Sequence, residues 1–198
     1  MPLRPASEKK ILDAADDLFF TNGIAATPVD AVLARAGVSA ATMYRGYRSK
    51  EALVAAALTR RHHDWLATWD AAVARCDEAG PRLLAIFDAL DDFRSRPTGA
   101  RWCAFLASAA EYVDPPADVA EAVRLDTETL RTRLTDLARP LVGPEAEAEG
   151  LAERLLLVVT GDLAMRLREP DRDTTTGRAV AASLIAAAGA TGPTSPGR

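Results

Sequence analysis

Residues 37–53 read GVSAATMYRGYRSKEAL, a pattern that indicates two helices joined by a tight turn. Gly37 closes the helical run before it, because glycine readily adopts the left-handed conformation that ends many helices. The hydroxyl of Ser39 can then accept a hydrogen bond from the free amides that open the next helix, which runs to about Arg45. The stretch therefore predicts a helix-turn-helix.

Hydrogen-bond donors crowd the same stretch, and no acidic residue lies between positions 39 and 50. The donors are Tyr44, Arg45, Tyr47, Arg48 and Lys50. DNA phosphates would satisfy all of them, since Arg, Lys and Tyr commonly contact phosphate oxygens at protein–DNA interfaces. The stretch therefore predicts contact with the DNA backbone.

Lys50 adds a separate argument. Ser49 is a typical N-cap, so Lys50 falls in the first turn of the following helix, where the helix dipole disfavours a cation. A phosphate bound by the free amides at that helix end would remove the misfit. The alternative is that Lys50 is an ordinary solvated lysine.

Charge is distributed unevenly along the 198 residues, whose net charge of −4 argues against general affinity for nucleic acids. Residues 1–63 hold nine Lys and Arg against six Asp and Glu, and the remainder holds fifteen against twenty-two. Any DNA contact is therefore expected in the first third of the chain, because the acidic remainder should repel DNA.

Apolar residues recur at helical spacing throughout, which predicts an all-α fold with a three-helix head and about six further helices. In the head we expect helices from near Ser7, from Thr27 as the cap with Pro28 at the first helical position, and from Ser39. Residues 1–6 are expected to be a mobile arm. Breaks are expected at residues 80–81, 96–97, 115–116, 139–140 and 169–170.

Cys76 and Cys103 are too few for a disulfide framework or a four-cysteine zinc site, and the N-terminus does not resemble a signal peptide. We therefore expect a reduced, cytoplasmic protein. The apolar run at residues 155–163 is soon interrupted by Arg166 and Arg168, so no membrane span is expected.

Residues 7–60 resemble the TetR family of bacterial transcriptional regulators. The resemblance rests on four motifs in the family's order and spacing: TPVD at 27–30, AGVS at 36–39, TMY at 42–44 and SKEAL at 49–53. It implies a homodimer that binds a palindromic double-stranded DNA operator and is released when an unknown small-molecule effector moves the two heads apart. The implied domains are a DNA-binding domain of residues 1–48, a ligand-binding and dimerisation domain of residues 49–190, and a flexible tail of residues 191–198.

The resemblance also implies roles for residues of the head. Phosphate or backbone contacts are implied for Thr27, Ser39, Thr42, Tyr44 and Lys50. A contact for Arg48 is expected from the cluster of donors alone. Arg45 stands where the family often has histidine, and it can reach a phosphate or a guanine edge, so it is the leading candidate for base recognition. Tyr47 replaces the usual phenylalanine and either fills the small core of the head or contacts DNA.

The recognition helix departs from the family at Gly46, where an aromatic residue or histidine is usual. We expect this change to remove a DNA contact and to shorten the helix. Ala40 and Ala41 offer only methyl groups to the groove, which suit thymine methyls but discriminate poorly among other base edges. Specificity is therefore expected to depend on Thr42, Arg45 and DNA shape.

A ligand pocket in the C-terminal domain could be lined by aromatic side chains and one carboxylate. The candidates are Trp65, Trp69, Phe87, Trp102, Phe105, Glu111 and Tyr112. The alternative for each aromatic residue is ordinary core packing. Glu111 follows an apolar helical run, so its carboxylate needs a partner or a ligand cation unless it lies at a solvated helix end.

By resemblance, the last two helices of each subunit form the dimer interface, unless they pack only within their own subunit. The candidate interface residues are Leu155, Val159, Leu163, Leu184 and Ile185. On the penultimate helix, Asp162 and Arg166 are four positions apart and are expected to form a surface pair. If they faced inward instead, they would bind a polar group of the ligand.

Neither a metal site nor a cofactor is indicated. His62 and His63 are adjacent, so they point about 100° apart on a helix and cannot chelate one metal ion. Cys103 is interpreted as a small core residue, with a redox-sensing thiol as the alternative. No phosphate loop or nucleophile with its partners is present, so we do not expect an enzyme. The resemblance to the TetR family implies a repressor that a ligand releases. Alternatives are an all-helical enzyme or interaction protein, a TetR-like activator, or a non-specific DNA binder.

Overall fold

A computed structural model describes residues 3–96 and 103–191. These residues form nine α-helices and no strand, which confirms the all-α fold. The helices are α1 (Pro5–Asn22), α2 (Val29–Ala36), α3 (Ala40–Gly46), α4 (Lys50–Val73), α5 (Ala79–Arg94), α6 (Ala104–Glu111), α7 (Ala117–Val142), α8 (Glu145–Met165) and α9 (Thr175–Thr191).

The turn between α2 and α3 has the predicted geometry. Gly37 adopts φ 65° and ψ 39°, in the left-handed region, directly after α2. Ser39 caps α3, where its Oγ accepts the amide of Thr42 at 3.2 Å. Ser49 caps α4 in the same way, with the amide of Ala52 at 3.1 Å from its Oγ. Helix α2, the turn and α3 therefore form a helix-turn-helix.

The start of α2 and the N-terminal arm differ from expectation. Pro28 occupies the N-cap position of α2, and no side chain caps this helix, so Thr27 is not the cap. Helix α1 begins at Pro5, because the fixed φ of proline suits the first helical position. Leu3 packs against the core of the head. Residues 3–6 are therefore not the mobile arm that the sequence predicted.

Pro140 does not end α7, contrary to the break expected at residues 139–140. The helix continues to Val142, and Gly143 follows it with a φ of 82°. A proline removes one helical hydrogen bond, and the loss is tolerated here because the helix ends within the next turn. At the other end of the chain, Thr191 ends α9, and the rest of the predicted tail lies outside the described residues.

The chain forms two compact units, which consist of the described parts of Met1–Asp64 with Pro97–Asp126, and of Trp65–Arg96 with Thr127–Arg198. The first unit extends beyond the helix-turn-helix, because Leu53 and Leu58 of α4 share one core with α1 to α3. Phe105 of α6 and Val119 of α7 belong to the same core. A functional boundary at residues 48/49 stays a prediction.

The second unit has its own core, to which α5, α8 and α9 contribute together with parts of α4 and α7. Its largest fully buried side chains include Trp69, Phe87, Leu134 and Leu151. Nowhere in the described part of the chain is a helix both long and apolar enough to cross a membrane.

Candidate nucleic-acid interface

Helix α3 has one buried face and one free face. Met43 and Tyr47 are buried in the core of the first unit. Ala40, Ala41, Tyr44 and Arg45 are exposed, and Tyr44 leaves 53% of its surface accessible. Met43 inside α3 and Tyr47 directly after it hold the helix from one side, so the opposite side presents a free surface.

The two exposed arginines near α3 differ in whether they form an ion pair. Arg45 forms no ion pair with any residue in the described ranges 3–96 and 103–191. Arg48 pairs with Asp118 of α7 at 2.8 Å, and both side chains are largely solvated. Because an exposed pair of this kind contributes little free energy, a phosphate can replace Asp118 at small cost. Both guanidinium groups are therefore accessible to solvent, and their predicted phosphate contacts stay predictions.

The side chains of Ser39 and Thr42 are linked to each other at the start of α3. Their hydroxyl oxygens lie 2.9 Å apart, while Ser39 also caps the helix. Ser39 is exposed and Thr42 is half-buried, so both stay within reach of a backbone ligand. Their predicted contacts with DNA stay predictions.

Thr27 and Lys50 are directed into the head, not toward solvent. Thr27 is only 2% exposed, and its Oγ1 donates to the carbonyl oxygens of Leu18 at 3.2 Å and Gly23 at 2.7 Å. Lys50 donates from Nζ to the carbonyl oxygen of Ile24 at 2.5 Å. In this structure both side chains bond to the α1–α2 turn, and the phosphate contacts expected of them stay predictions.

Tyr47 is a core residue, as the first of the two interpretations held. Burial, together with the nearby charge of Glu8, raises the pKa of its phenol to about 12. The hydroxyl is buried, which favours the core interpretation, and a direct DNA contact by Tyr47 stays an untested alternative.

Glu111 has found protein partners, because its carboxylate accepts two backbone amides of the α1–α2 turn. One oxygen accepts the amide of Ile24 at 3.1 Å, and the other accepts the amide of Ala25 at 2.7 Å. The last residue of α6 thus fixes the turn that precedes the helix-turn-helix. The sequence indicated the need for a partner but not which one.

The predicted pocket residues lie in both units. Trp65, Trp69 and Phe87 belong to the core of the second unit, where the two indole rings stack at 5.9 Å. Phe105 and Tyr112 pack in the core of the first unit. Trp102 lies outside the described residues. These positions agree with ordinary core packing, and their contact with a ligand stays a prediction.

A buried pair that the sequence did not reveal joins α4 to α7. His62 and Asp126 are both buried, with Nδ1 of the imidazole 2.9 Å from a carboxylate oxygen. Desolvation raises the pKa of Asp126 against the opposing influence of His62. Burial also raises the pKa of the neighbouring Cys103 thiol to about 11, which disfavours a redox-sensing thiolate.

Asp162 and Arg166 do not form the expected surface pair, since both are buried in the second unit. Arg166 contacts the Asp162 carboxylate at 3.3 Å, and Arg172 approaches it at 3.6 Å. A Cβ added at Gly177 would lie 3.0 Å from the same carboxylate, so the surroundings of Asp162 are tightly filled. Both side chains face inward, as the alternative interpretation required. The Asp162 carboxylate, however, is paired with arginines of the protein and not with a ligand.

The predicted dimer residues point mostly inward. Leu155, Val159 and Ile185 are buried in the core of the second unit, and an interface role for them stays a prediction. Leu163 and Leu184 are partly buried against the same core. The opposite faces of α8 and α9 instead expose Leu157 at 72% and Val180 at 47%.

Comparisons with known proteins agree with this geometry. Residues 11–57 match the family described as "Bacterial regulatory proteins, tetR family". No curated protein matches the chain. A TetR-family transcriptional regulator from Streptomyces coelicolor has a similar structure, with a TM-score of 0.83 and 24% identity over 94% of this chain and 97% of that one.

Two further solved structures share the fold. A transcriptional regulator from Rhodococcus sp. Rha1 aligns with a TM-score of 0.77 and 24% identity over 96% of this chain and 99% of its own. A TetR-family regulator from Cytophaga hutchinsonii aligns at 0.79 and 16% identity over 93% and 96%. A helix-turn-helix with an exposed second helix is typical of DNA-binding proteins. The sequence match assigns residues 11–57 to the TetR family, and the chain shares its fold with solved regulators of that family.

Proposed function

We propose that this protein is a dimeric repressor that binds a palindromic DNA operator and that a small-molecule effector releases it. The observation that carries the proposal is the free face of α3, where Tyr44 and Arg45 are exposed beside two alanines while Met43 and Tyr47 anchor the helix. A helix held from one side and cationic on the other suits insertion into the major groove.

Within this surface the contacts would divide into two kinds. Tyr44 and Arg48 would bind phosphates, Arg48 after leaving Asp118. Arg45 would donate to a guanine edge, and the methyl groups of Ala40 and Ala41 would face thymine methyls. Such a surface has few base-specific donors, so part of the sequence preference would come from DNA shape.

Dimerisation would use the outward faces of α8 and α9. Leu157, Gly161 and Val180 are exposed there, and no other atom lies within 4 Å of a Cβ added at Gly161. A second copy packed on these faces would remove the exposed leucine and valine from water, and the glycine would allow close helix approach. Two copies related by a twofold axis match a palindromic operator.

Release by an effector is supported by the family resemblance and by the aromatic residues of the C-terminal region. The effector would bind among side chains such as Trp65 and Trp69, in a protein that acts in the cytoplasm on DNA. A thermal-shift screen of small apolar compounds would identify ligands, since binding to the native state alone raises the melting temperature. A true effector would also lower operator affinity.

The test of operator binding is selection of bound duplexes from a random pool. We expect a palindrome whose half-sites are separated by about one helical turn, on the order of 34 Å. Absence of any enriched sequence would refute operator recognition, and binding that depends on salt but not on sequence would identify a non-specific binder. In vitro transcription from a promoter carrying the selected site would then separate repression from activation.

A further inference from the structure

The contact between Gly46 of α3 and Leu3 of the N-terminal segment needs an explanation. A Cβ added at Gly46 would lie 2.7 Å from Cγ of Leu3 and closer still to one of its methyl groups. Any side chain at position 46 would therefore have to displace Leu3. The leucine fills the space that a side chain on α3 would otherwise take.

Backbone conformation does not account for the glycine. The described glycines with positive φ are Gly23, Gly37 and Gly143, and Gly46 is not among them. Gly46 is the last residue of α3, so the helix ends within one residue of the expected position. Glycine has a low helix propensity, and no left-handed turn requires it here. The contact with Leu3, which only a residue without a side chain allows, compensates for this low propensity.

The contact of Leu3 with Gly46 also restricts Arg4. Arg4 is the next residue, about 3.8 Å away between Cα atoms, and its carbonyl oxygen accepts the amides of Ser7 and Glu8 at 2.9 and 3.0 Å. Its backbone is therefore held between α1 and the end of α3. The Arg4 side chain is exposed, and it forms no ion pair within residues 3–96 and 103–191.

The N-terminal segment is also cationic. Residues 1–12 carry Arg4, Lys9 and Lys10 against one acidic residue, Glu8. Lys9 is already paired with Asp13 at 2.7 Å, whereas Arg4 stands next to the residue that touches α3. A phosphate beside the C-terminal end of α3 is thus the partner that suits an exposed guanidinium there.

We propose that Leu3, seated on Gly46, makes the N-terminal segment part of the DNA-binding surface and that Arg4 contacts a DNA phosphate. The inference rests on the proposed DNA-binding function and adds a contact to it. Arg4 would thus supply a DNA contact from a second segment of the chain, beside the end of α3.

The test measures binding of the full chain to its selected operator over a range of salt concentrations. Arg4→Ala should weaken binding and reduce the slope of log K against log salt by about 0.9, the value for one lost phosphate contact. Arg75→Ala is the matched control, because it removes an exposed arginine of the second unit that pairs with Asp92. Its slope should equal that of the wild type.

Gly46→Ala tests whether Leu3 positions Arg4. Alanine favours the helix and needs only the flexible end of Leu3 to move, so α3 should stay folded while the segment is displaced. We expect Gly46→Ala to lower the salt slope as Arg4→Ala does, and the double variant to lose nothing further. Leu3→Ala should behave like Gly46→Ala, and it keeps the test valid if Gly46→Ala fails to fold.

Two outcomes would overturn the inference alone: a wild-type salt slope in Arg4→Ala, or additive effects of Arg4→Ala and Gly46→Ala. Failure of the wild type to bind any DNA would refute the proposed function as well. Wild-type binding with an unchanged Arg4→Ala slope would leave the proposed function intact.

Discussion

The carboxylate of Glu111 accepts the backbone amide of Ile24 at 3.1 Å, although the two residues are 87 positions apart in the sequence. Lys50 donates to the carbonyl oxygen of the same Ile24. A carboxylate of α6 therefore binds the amide of Ile24, and an ammonium group of α4 binds its carbonyl oxygen. Because Ile24 is buried, each bond satisfies a backbone group that has little access to water.

Glu111→Ala should destabilise this turn more than Glu111→Gln. Alanine leaves the amides of Ile24 and Ala25 without their acceptor, at a cost of about 1–3 kcal/mol, whereas glutamine keeps one carbonyl oxygen for one of them. Urea unfolding measures the loss of stability, and hydrogen exchange should accelerate at these two amides. Glu149→Ala, on the exposed face of α8, is the control and should change neither. Equal effects of the two Glu111 variants would contradict the two-amide contact.

Tyr44 and Tyr47 form a matched pair that separates DNA contact from core packing. Tyr44→Phe should weaken binding to all DNA sequences, because it removes an exposed phenol donor without changing the ring. Tyr47→Phe should leave DNA binding unchanged and cost no stability, since the hydroxyl is buried and its removal relieves desolvation. Binding isotherms on operator and random duplexes, together with thermal melting, measure both. Weaker DNA binding by Tyr47→Phe would instead indicate that the Tyr47 hydroxyl contacts DNA directly.

Arg45→Ala should reduce operator discrimination. If Arg45 donates to a guanine edge, its loss costs about 1–3 kcal/mol on the correct base and relaxes selection at that position only. Comparison of affinities for the selected site and for single-base variants gives the discrimination directly. An equal loss on specific and random DNA would show that Arg45 binds only phosphate.

Asp126 should make stability fall as pH rises. Burial raises the pKa of this carboxyl above its ordinary value of 3.8, so the unfolded chain loses the proton first and the native state is disfavoured once pH exceeds that value. Asp126→Asn cannot ionise. The stability of the variant relative to wild type should therefore increase as the pH rises from about 3 to the raised pKa of Asp126, and it should be constant above that pKa. The total increase is about 1.4 kcal/mol per unit by which the pKa is raised. Denaturant unfolding at several pH values checks this, and a flat difference would contradict it.

The head was predictable from sequence because its signals act over a few residues. Gly37 ends α2 and Ser39 and Ser49 cap the helices that come after them, each through a bond to a near neighbour. The contact between Glu111 and Ile24 carries no such signal, since its partners meet only after α6 has packed in the first unit. The same holds for Leu3 and Gly46, where the sequence showed a missing side chain but not what replaces it.

Helix faces in the C-terminal region were less predictable. Residues 155–159 of α8 are all apolar, so periodicity there does not distinguish the face toward the core from the face toward solvent. Tertiary packing determines which face is buried. Asp162 and Arg166 lie on the buried face, although charged residues usually remain solvated.

Leu157 and Leu155 provide the test of the dimer interface. Leu157→Asp should convert the dimer to a monomer without unfolding it, because the side chain is 72% exposed in the single chain and a charge there would be buried only in the dimer. Leu155→Ala should instead destabilise each subunit by about 2–5 kcal/mol, because Leu155 is 2% exposed and its truncation leaves a cavity. Sedimentation measures the oligomeric state and urea unfolding the stability. Dimers that survive Leu157→Asp would place the interface on another face, and operator affinity should fall together with dimer content because two heads must bind one palindrome.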